Sequence, residues 1–336
     1  MNGPRIKRLP LWLCTLFACS APPEAVQTPV DLCEVTAEGR VSLPADDAIH
    51  QEPVEWWYWT GHLTGPDGQR FGFEQTFFAV QMGELYVNTS GHYALTDIDN
   101  QTFDFNITYV DGVPAATVDS FDLTDGEGWA RGGDGHETLH GVIGDSIGWD
   151  LELNAHESPI LQHGDGYHDY DVGGYTYYYS RQRIEVGGKL HLADGDLPVV
   201  GTAWFDHQWG NLIAAADAGW DWFAIQLDDG REIMLFLTRG GTDVIGGTLR
   251  ETDCTTREID PAALQITPTG AWTSEVTGCS YPHGWNIQLG DLSLDVTPLV
   301  ADQELHNDFK TYWEGASSVS GDAVGRAYVE LAGYCE

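Results

Sequence analysis

Acidic and imidazole side chains lie among tryptophans in the stretch from residue 199 to residue 239. Asp206, His207 and Gln208 form a polar group, and Asp221 follows between two indoles. A carboxyl group in such apolar surroundings has to be paired, protonated or used chemically. A protonated carboxyl or an imidazolium in a dry pocket can protonate an alkene. We therefore predict acid chemistry, with Asp206 or Asp221 as the acid and His207 as the group that transfers protons.

The aromatic residues near this polar group form the predicted ligand-binding wall. Aromatic faces attract a cation, so they can stabilise the one that follows protonation of an alkene. The wall consists of Trp57, Tyr58, Trp204, Trp209, Trp220 and Trp222. The alternative is structural. In that case these rings fill the interior, and Asp206 and His207 form hydrogen bonds within a domain interface.

Two other motifs offer metal chemistry, and the sequence argues against both. Residues 136–140 read HETLH, the H-E-x-x-H pattern of zinc proteases. That chemistry needs a helix, whereas flanking glycines favour a strand, which separates positions four apart by roughly 13 Å. Asp165, Asp169 and Asp171 could bind calcium, but their loop lacks EF-hand spacing, which favours a plain turn. We predict no metal and no cofactor.

Strands joined by tight turns must position the acidic and aromatic residues. Asp228-Asp229-Gly230 separates two apolar runs, at 220–227 and 232–238, which predicts a β-hairpin. Clusters of Gly, Asp and Asn recur along the chain, and long helical periodicity is hard to find. The pattern is typical of an all-β protein.

A second copy of this hairpin stretch lies near the start of the chain. Residues 57–63 align with 220–227 with a one-residue gap, and the turn at 66–68 aligns with 228–230. Further on, 148–151 resembles 284–287, and 177–180 resembles 312–315. We predict an internal duplication, with two similar hairpins in one large β-protein as the alternative. The predicted domains are residues 45–196 and 197–336.

The composition excludes two classes of partner. The formal net charge is −37, with 52 acidic and 15 basic residues. So much negative charge repels nucleic acid and anionic lipid surfaces. The acidic residues are spread through turns and outward strand positions, which indicates a solvated surface. We predict a monomer that binds an apolar small molecule and no nucleic acid.

The N-terminal residues indicate export. Basic residues precede a short apolar run at 9–18 that is too short to span a bilayer. Leu16-Phe17-Ala18-Cys19 resembles a bacterial lipobox, so we predict a signal peptide at 1–18 and a lipid on Cys19. Residues 19–44 would be a tether and an entry strand. An ordinary secretory peptide cut near Ala21 is the alternative. The lipid would be the sole membrane contact of an outer-membrane lipoprotein, periplasmic or surface-exposed.

Four further cysteines suit an oxidising compartment. Three pairings are possible among them, and we expect Cys254–Cys279 to close one hairpin. The other expected pair, Cys33–Cys335, would join the chain ends.

Six motifs together resemble one family. They are EWWY at 55–58, YYSR at 178–181, GTAWFDHQWG at 201–210, GWDWF at 219–223, YWEG at 312–315 and GRAYVELAGY at 325–334. The sequence is similar to the lipocalin-like family that includes carotenoid 1,2-hydratase (hydroxyneurosporene synthase). Its nearest likeness is to the secreted bacterial branch of predicted hydrolases. The resemblance implies two consecutive lipocalin-like β-barrels over about residues 45–335.

The same resemblance implies a role for two residues. A His-x-Trp motif is implicated in catalysis in the hydratases, and it falls on His207 and Trp209. The hydratases also use an acidic residue on a following strand, where residues 233–237 are all apolar. Three functions follow as hypotheses. The first is an apolar-ligand protein with hydratase or isomerase chemistry, the second is a carrier or chaperone without chemistry, and the third is a hydrolase.

Overall fold

The computed structural model describes residue 33 and residues 39–82, 85–110, 115–116, 119–170, 173–211, 219–239 and 244–335. Residues 32–336 form a single compact unit. The predicted signal peptide, Cys19 and most of the tether lie outside the described residues. No helix in the described part of the chain has the length and apolar character needed to span a membrane.

The first half of the chain forms one antiparallel sheet. Its spatial order is β4-β3-β2-β1-β13-β12-β9-β8-β7-β6-β5, with β10 and β11 also paired to β12. The strands are β1 (Val54–Thr64), β2 (Arg70–Met82), β3 (Leu85–Asp97), β4 (Thr102–Val110), β5 (Ala115–Ala116), β6 (Phe121–Thr124), β7 (Trp129–Gly133), β8 (His136–Ile143), β9 (Ile147–Asn154), β10 (Ile160–Leu161), β11 (Tyr167–Asp169), β12 (Tyr175–Leu192) and β13 (Gly195–Asn211).

The second half forms another antiparallel sheet, in the order β17-β16-β15-β14-β25-β24-β22-β21-β18, with β23 paired to β24. Strands β19 and β20 form a separate two-stranded sheet. The strands are β14 (Trp220–Leu227), β15 (Glu232–Thr238), β16 (Val244–Arg250), β17 (Thr256–Glu258), β18 (Leu264–Pro268), β19 (Ala271–Thr273), β20 (Ser280–Pro282), β21 (Trp285–Leu289), β22 (Leu292–Pro298), β23 (Glu304–His306), β24 (Thr311–Gly321) and β25 (Gly325–Ala332). Short 3-10 turns lie at Ala45–Asp47 and Pro261–Ala263.

The predicted fold class is confirmed. Both sheets are antiparallel and curl into half-barrels, as in lipocalin-like proteins with two barrels. Each sheet encloses its own apolar core because inward and outward side chains alternate along the strands. The first core is built around Trp57, Trp59 and Trp149, and the second around Phe223 and Trp285.

The two sheets repeat one topology. In the first, β1 to β4 run outward as a meander while the last strand, β13, returns to pair with β1. In the second, β14 to β17 run outward and the last strand, β25, returns to pair with β14. On its other side, each of these last strands pairs with the strand that precedes it in sequence, which is β12 for β13 and β24 for β25. This matching order supports the predicted duplication.

The domain boundary predicted at residues 196/197 is displaced. Strand β13 begins at Gly195 and pairs with β1 and β12, so it belongs to the first sheet. The change of sheet falls between Asn211 and Trp220. In the first sheet, β13 takes the place that β25 takes in the second.

The H-E-x-x-H motif lies on a strand, as predicted. Strand β8 spans it, with Glu137 buried and His136 exposed. Glu137 accepts a hydrogen bond from Trp59 Nε1, whereas His140 contacts Asp150. Strand alternation turns the Glu away from the two imidazoles, so the motif cannot work as a zinc-protease site. In the proposed calcium loop, Asp165 pairs with Arg40, and Asp171 lies outside the described residues.

The disulfide pairing predicted from the sequence is wrong. Cys33 bonds Cys254, and Cys279 bonds Cys335. The first bridge joins the segment before β1 to the turn between β16 and β17 of the second sheet. Cys254 lies in a tight turn with φ of 67°. The second bridge joins the segment before β20 to the chain end after β25, within the second half of the chain. Spacing along the chain reveals neither of these tertiary contacts.

A β-bulge interrupts β12. Arg181 pairs with Phe205 and Ile184 with Ala203, so three steps along β12 match two along β13. Arg183 occupies the bulge with φ of 49°. Its guanidinium reaches the second sheet, where Nε donates to Glu232 at 2.5 Å and a terminal nitrogen donates to the Leu227 carbonyl at 2.8 Å. The bulge thus turns one residue of the first sheet into a link to the second.

Candidate functional site

A cavity of about 180 Å³ lies between the two sheets. Strands β1, β2, β12 and β13 form one wall, and β14, β15, β24 and β25 form the other. The wall is mostly aromatic, with three carboxyl groups and no lysine or arginine among its described residues. The lining side chains are Val54, Trp56, Tyr58, Thr76, Phe78, His163, Tyr170, Tyr178, Asp206, Gln208, Trp220, Trp222, Met234, Phe236, Thr238, Tyr312, Glu314 and Glu330.

Alternation along β13 divides the predicted site between two places. Asp206 and Gln208 face this seam cavity, whereas His207 and Trp209 face the core of the first sheet. The predicted wall divides in the same way. Tyr58, Trp220 and Trp222 line the cavity, and Trp204 packs against Tyr58 and Trp222. Trp57 packs against His207 in the first core, with ring centroids 4.7 Å apart.

Asp206 is buried at the centre of a ring of donors. Tyr178 OH donates to it at 2.5 Å, Ser180 Oγ at 2.5 Å and Trp204 Nε1 at 2.7 Å. Trp222, from the other sheet, donates to the Tyr178 hydroxyl at 3.2 Å. Burial raises the pKa of Asp206 to about 7, even though the three donors favour the ionised form. At neutral pH this carboxyl group can therefore both accept and release a proton.

Glu314 and Glu330 form the acidic part of the opposite wall. Tyr58 OH, from β1, donates to Glu314, so this hydrogen bond crosses between the sheets. Burial, and then the nearby Glu330 and Glu74, raise the pKa of Glu314 well above its usual range. Burial also raises the pKa of Glu330. The shift favours the protonated form of Glu314, so this carboxyl group can act as an acid.

Glu74, on β2 of the first sheet, adds a further buried carboxyl group that interacts electrostatically with Glu314. Burial raises its pKa to about 8, although a hydrogen bond from Thr76 opposes the shift. One carboxyl oxygen, Oε2, has no hydrogen-bond partner. The seam therefore concentrates buried carboxyl groups whose pKa values lie above their usual range.

Asp221 does not reach the cavity. Strand alternation turns it away from Trp220 and Trp222, and it bonds Arg239 and the Tyr334 hydroxyl at 2.8 Å. Burial raises the pKa of Asp221, and Arg239 opposes that shift. The carboxyl group between two indoles is thus paired. Its predicted place beside Asp206 is wrong.

His207 belongs to a separate cluster inside the first sheet. Its Nε2 lies 2.8 Å from Glu55 Oε1, and its Nδ1 lies 3.3 Å from the Tyr179 hydroxyl. His50 Nδ1 lies 2.8 Å from the same Glu55 oxygen. Burial lowers the pKa of His207. Although burial acts in the same direction on His50, Asp46 and Glu55 raise the pKa of that residue to about 9.

Two described groups have donor atoms close enough to share a metal ion. One is His50, Glu55 and His207, and the other is Cys279, Glu304 and Cys335. In the second group the two sulfurs form a disulfide, so they are not available as ligands. The first group is the single candidate metal centre among the described residues.

Comparison with known proteins identifies the family of this chain. A family model described as AttH-like matches residues 34–334. The chain belongs to the AttH-like family. No curated protein sequence matches the chain significantly.

Solved structures of similar fold include other AttH-like and hydratase proteins. The structure of a protein assigned as AttH from Nitrosomonas europaea shares 28% identity, with 91% of this chain and 100% of that one covered and a TM-score of 0.81. Kievitone hydratase from Nectria haematococca shares 16% identity, with coverage of 91% and 98% and a TM-score of 0.76. CghA with Sch210972 shares 10% identity, with coverage of 84% and 89% and a TM-score of 0.53.

Several residues of the candidate site are not among those predicted from the sequence. Glu314 and Glu330 lie in the recognised motifs YWEG and GRAYVELAGY, but no chemical role was assigned to them. A signal was present, because each is an isolated acid within an apolar strand. Glu55 and His50 were also passed over, although Glu55 directly precedes the first tryptophan pair.

Proposed function

We propose that the seam cavity binds a neutral, apolar molecule and catalyses the addition or removal of water at a carbon–carbon double bond. The observation that carries the proposal is the pairing of protonated carboxyl groups with aromatic walls in one cavity. In acid–base catalysis, the active site often contains two carboxyl groups with different pKa values, one of which acts as the acid and the other as the base. The predicted ligand class is thus retained, while the catalytic residues are revised.

The cavity sets limits on the ligand. An apolar cavity of roughly 150 Å³ can hold benzene. The seam cavity, at about 180 Å³, suits a ring or a branched chain end rather than a whole polyene. Because three carboxyl groups line it and no described lysine or arginine does, it disfavours anionic ligands such as fatty acids. If the ligand is a longer molecule, only one end of it would fit in the cavity and the rest would lie outside.

Glu314 is the proposed acid. Its proton adds to one alkene carbon, which leaves a carboxylate and a cation on the neighbouring carbon. The faces of Trp56, Trp220 and Trp222 stabilise that cation. Water then forms a bond to the cationic carbon and gives one proton to the carboxylate of Asp206. Elimination of water follows the same steps in reverse.

The relatives support this class of reaction. One neighbour is named as a hydratase, and the sequence resembles carotenoid 1,2-hydratase. Of the alternatives, the hydrolase is the weakest, because no serine or cysteine occurs among the described lining residues. A carrier without chemistry is the remaining alternative.

Export through a lipid anchor is a further proposal. The Cys33–Cys254 and Cys279–Cys335 bridges support an oxidising compartment. The proposal includes a lipid on Cys19, an outer-membrane location and a monomeric state.

The proposal is tested in two stages. Native mass spectrometry of protein from its own host identifies a bound apolar molecule. Turnover is then measured as ¹⁸O incorporation from labelled water, with that molecule and with neutral compounds that carry an isolated trisubstituted alkene. Glu314→Gln should retain binding and lose turnover by roughly 100-fold or more. Glu304→Gln is the control, because Glu304 is a buried glutamate of the second sheet outside the cavity.

Other outcomes contradict the proposal in distinguishable ways. Binding without turnover in the wild type would make the protein a carrier. Full turnover in Glu314→Gln would remove Glu314 as the acid. Loss of turnover in both variants would place the chemistry elsewhere.

A further inference from the structure

We infer that His50, Glu55 and His207 form a binding site for a divalent transition-metal ion inside the first sheet. The inference is independent of the seam cavity, which His207 does not line. Glu55 lies on β1, His207 on the neighbouring β13, and His50 just before β1. Glu55 pairs with Trp209 and Trp57 with His207, so Glu55 and His207 share a face of the sheet at diagonal positions.

The separations of the donor atoms suit a small ion. Glu55 Oε1 lies 2.8 Å from His50 Nδ1 and 2.8 Å from His207 Nε2. Tetrahedral zinc binds nitrogen and oxygen at roughly 2.0–2.2 Å, which places its ligands about 3.3 Å apart. Binding therefore requires each imidazole to move away from the carboxylate by about half an ångström. The other carboxylate oxygen is fixed, because it accepts the His50 backbone N–H at 2.8 Å.

The outer nitrogen of each imidazole faces an oxygen. His50 Nε2 lies 3.5 Å from Asp46 Oδ1, and His207 Nδ1 lies 3.3 Å from the Tyr179 hydroxyl. The Tyr179 hydroxyl donates its own proton to Asp47, so its oxygen is free to accept. Oxygens that orient the outer nitrogen of a ligating histidine are a regular part of metal sites. The arrangement thus has both the ligands and the groups that orient them.

A neighbouring carboxylate shows what a purely structural pairing looks like here. Asp47 is fully buried and lies 3.1 Å from Arg181. Arginine keeps its charge and has no lone pair for a metal. The partners of Glu55 are instead two imidazoles, which can ligate when neutral. Within the same core, Asp47 is thus paired with a permanent cation, Arg181, whereas Glu55 is paired with two imidazoles that can bind a metal.

The ligand set indicates the class of ion. Two imidazoles and one carboxylate suit zinc and divalent iron, cobalt or nickel, and disfavour calcium and magnesium. Ligation needs the lone pairs of His50 Nδ1 and His207 Nε2. A proton on either atom has to move to the outer nitrogen of the ring or leave for solvent. The exposed fraction of the His50 side chain, 20%, gives the ion a route of entry.

The test uses untagged, full-length protein that has been treated with EDTA. Zinc is titrated by calorimetry, and cobalt is added to read the visible absorption of tetrahedral nitrogen and oxygen ligation. We expect one zinc per chain. Glu55→Gln should weaken zinc binding by 100-fold or more, and Asp46→Asn by about 10–100-fold. Near-ultraviolet circular dichroism checks that each variant is folded, and His50→Gln replaces Glu55→Gln if that variant is not.

A surface group of the same residue types provides a matched control. His140 Nδ1 and His191 Nε2 contact opposite oxygens of Asp150, at 2.7 Å and 3.0 Å. His191→Gln should leave the zinc affinity unchanged. The inference is overturned if wild-type protein binds no zinc at millimolar concentration. It is also overturned if folded Glu55→Gln or His50→Gln binds as tightly as the wild type, or if His191→Gln abolishes binding.

Discussion

The two halves of the seam cavity carry different side chains at equivalent positions of their strands. In the first sheet, Asp206 on β13 lies between Tyr58 and Ser180 on the neighbouring strands. In the second sheet, Glu330 on β25 lies between Trp222 and Glu314. The repeated topology makes Asp206 equivalent to Glu330 and Ser180 equivalent to Glu314. The first half thus has a hydroxyl donor, Ser180, at the position where the second half has a second carboxyl group, Glu314.

This difference separates the proton affinities of the two halves. Asp206 accepts hydrogen bonds from Ser180 and two other donors, so its ionised form is stabilised and its pKa is held to about 7. Glu314 and Glu330 face each other across adjacent strands, and each carboxylate would repel the other. The pair therefore retains a proton. Ser180 in the first half and Glu314 in the second thus help to give the two walls of the cavity different proton affinities.

The largest expected effect comes from making the first half resemble the second. Ser180 is fully buried, so Ser180→Glu adds both volume and a carboxyl group beside Asp206. We expect a loss of about 1–3 kcal/mol in the free energy of unfolding at pH 5 from overpacking. A further loss of about 2 kcal/mol should appear at pH 8, where burying the charge becomes costly. Urea denaturation at pH 5 and at pH 8 measures both losses in the free energy of unfolding.

Ser180→Gln is the matched control for this experiment, because it adds similar volume without a titratable group. Its loss should change much less between pH 5 and pH 8 than the loss in Ser180→Glu, because both variants remove the same donor to Asp206 and only Ser180→Glu adds a charge. Equal losses for the two variants at pH 8 would show that volume alone limits this position.

The second prediction removes the extra carboxyl group of the second half. The pKa of Glu314 is higher in the folded protein than in the unfolded chain, so the folded state holds the proton more tightly. The free energy of unfolding therefore falls as pH rises above about 4.5, by at most about 1.4 kcal/mol per pH unit for one group. Glu314→Gln should reduce the slope between pH 6.5 and pH 8 by about 1 kcal/mol per pH unit. Urea midpoints across this window provide the measurement.

Glu304→Gln should leave that slope unchanged. Burial lowers the pKa of His62 and His92 to about 4 and about 3, so both are neutral in the folded protein across this window. In the unfolded chain they lose their remaining protons above a pKa of about 6.5, and this contribution is the same in the wild type and in both variants. An unaltered slope in Glu314→Gln would mean that Glu314 is ionised in the folded protein.

The smallest effect concerns the equivalent tyrosines. Tyr178 donates to Asp206, whereas Tyr312 contacts His92 at 2.7 Å. Tyr178→Phe should cost about 1 kcal/mol and raise the pKa of Asp206, because a donor to its ionised form is lost. Tyr312→Phe should cost a similar amount and leave that pKa in place. Infrared titration of the Asp206 carboxyl band distinguishes the two, and an equal shift in both variants would contradict the comparison.

Much of the fold could be predicted from the sequence because its signals are local. The Asp-Gly turn at 228–230 and the apolar runs beside it give the β14–β15 hairpin in the expected place. Glycines around residues 136–140 correctly indicate a strand. The repeat was also detectable, since β1 and β14 occupy equivalent positions in their sheets.

The incorrect predictions concern features that depend on strand register and on tertiary contacts. The sequence alignment matched Tyr177 with Tyr312, whereas the strand register matches Tyr178 with Tyr312. A slip of one residue sends every side chain to the opposite face, which concealed the equivalence of Ser180 and Glu314. Likewise, Asp206 and His207 are adjacent in sequence and were assigned to one site. The period of two on β13 places them on opposite sides of the sheet.

The bulge in β12 has a consequence for how this protein can evolve. It supplies the odd residue that sets residues 175–181 out of phase with residues 184–192. Deleting one residue at the bulge would leave the pairs Arg181–Phe205 and Ile184–Ala203 in a regular ladder, so Tyr178 would stay beside Asp206. The same deletion within residues 175–181 would instead turn the part of the strand N-terminal to it to the opposite face. The bulge thus marks a point along β12 where one codon can be removed without exchanging the inner and outer surfaces of the segment that serves the seam.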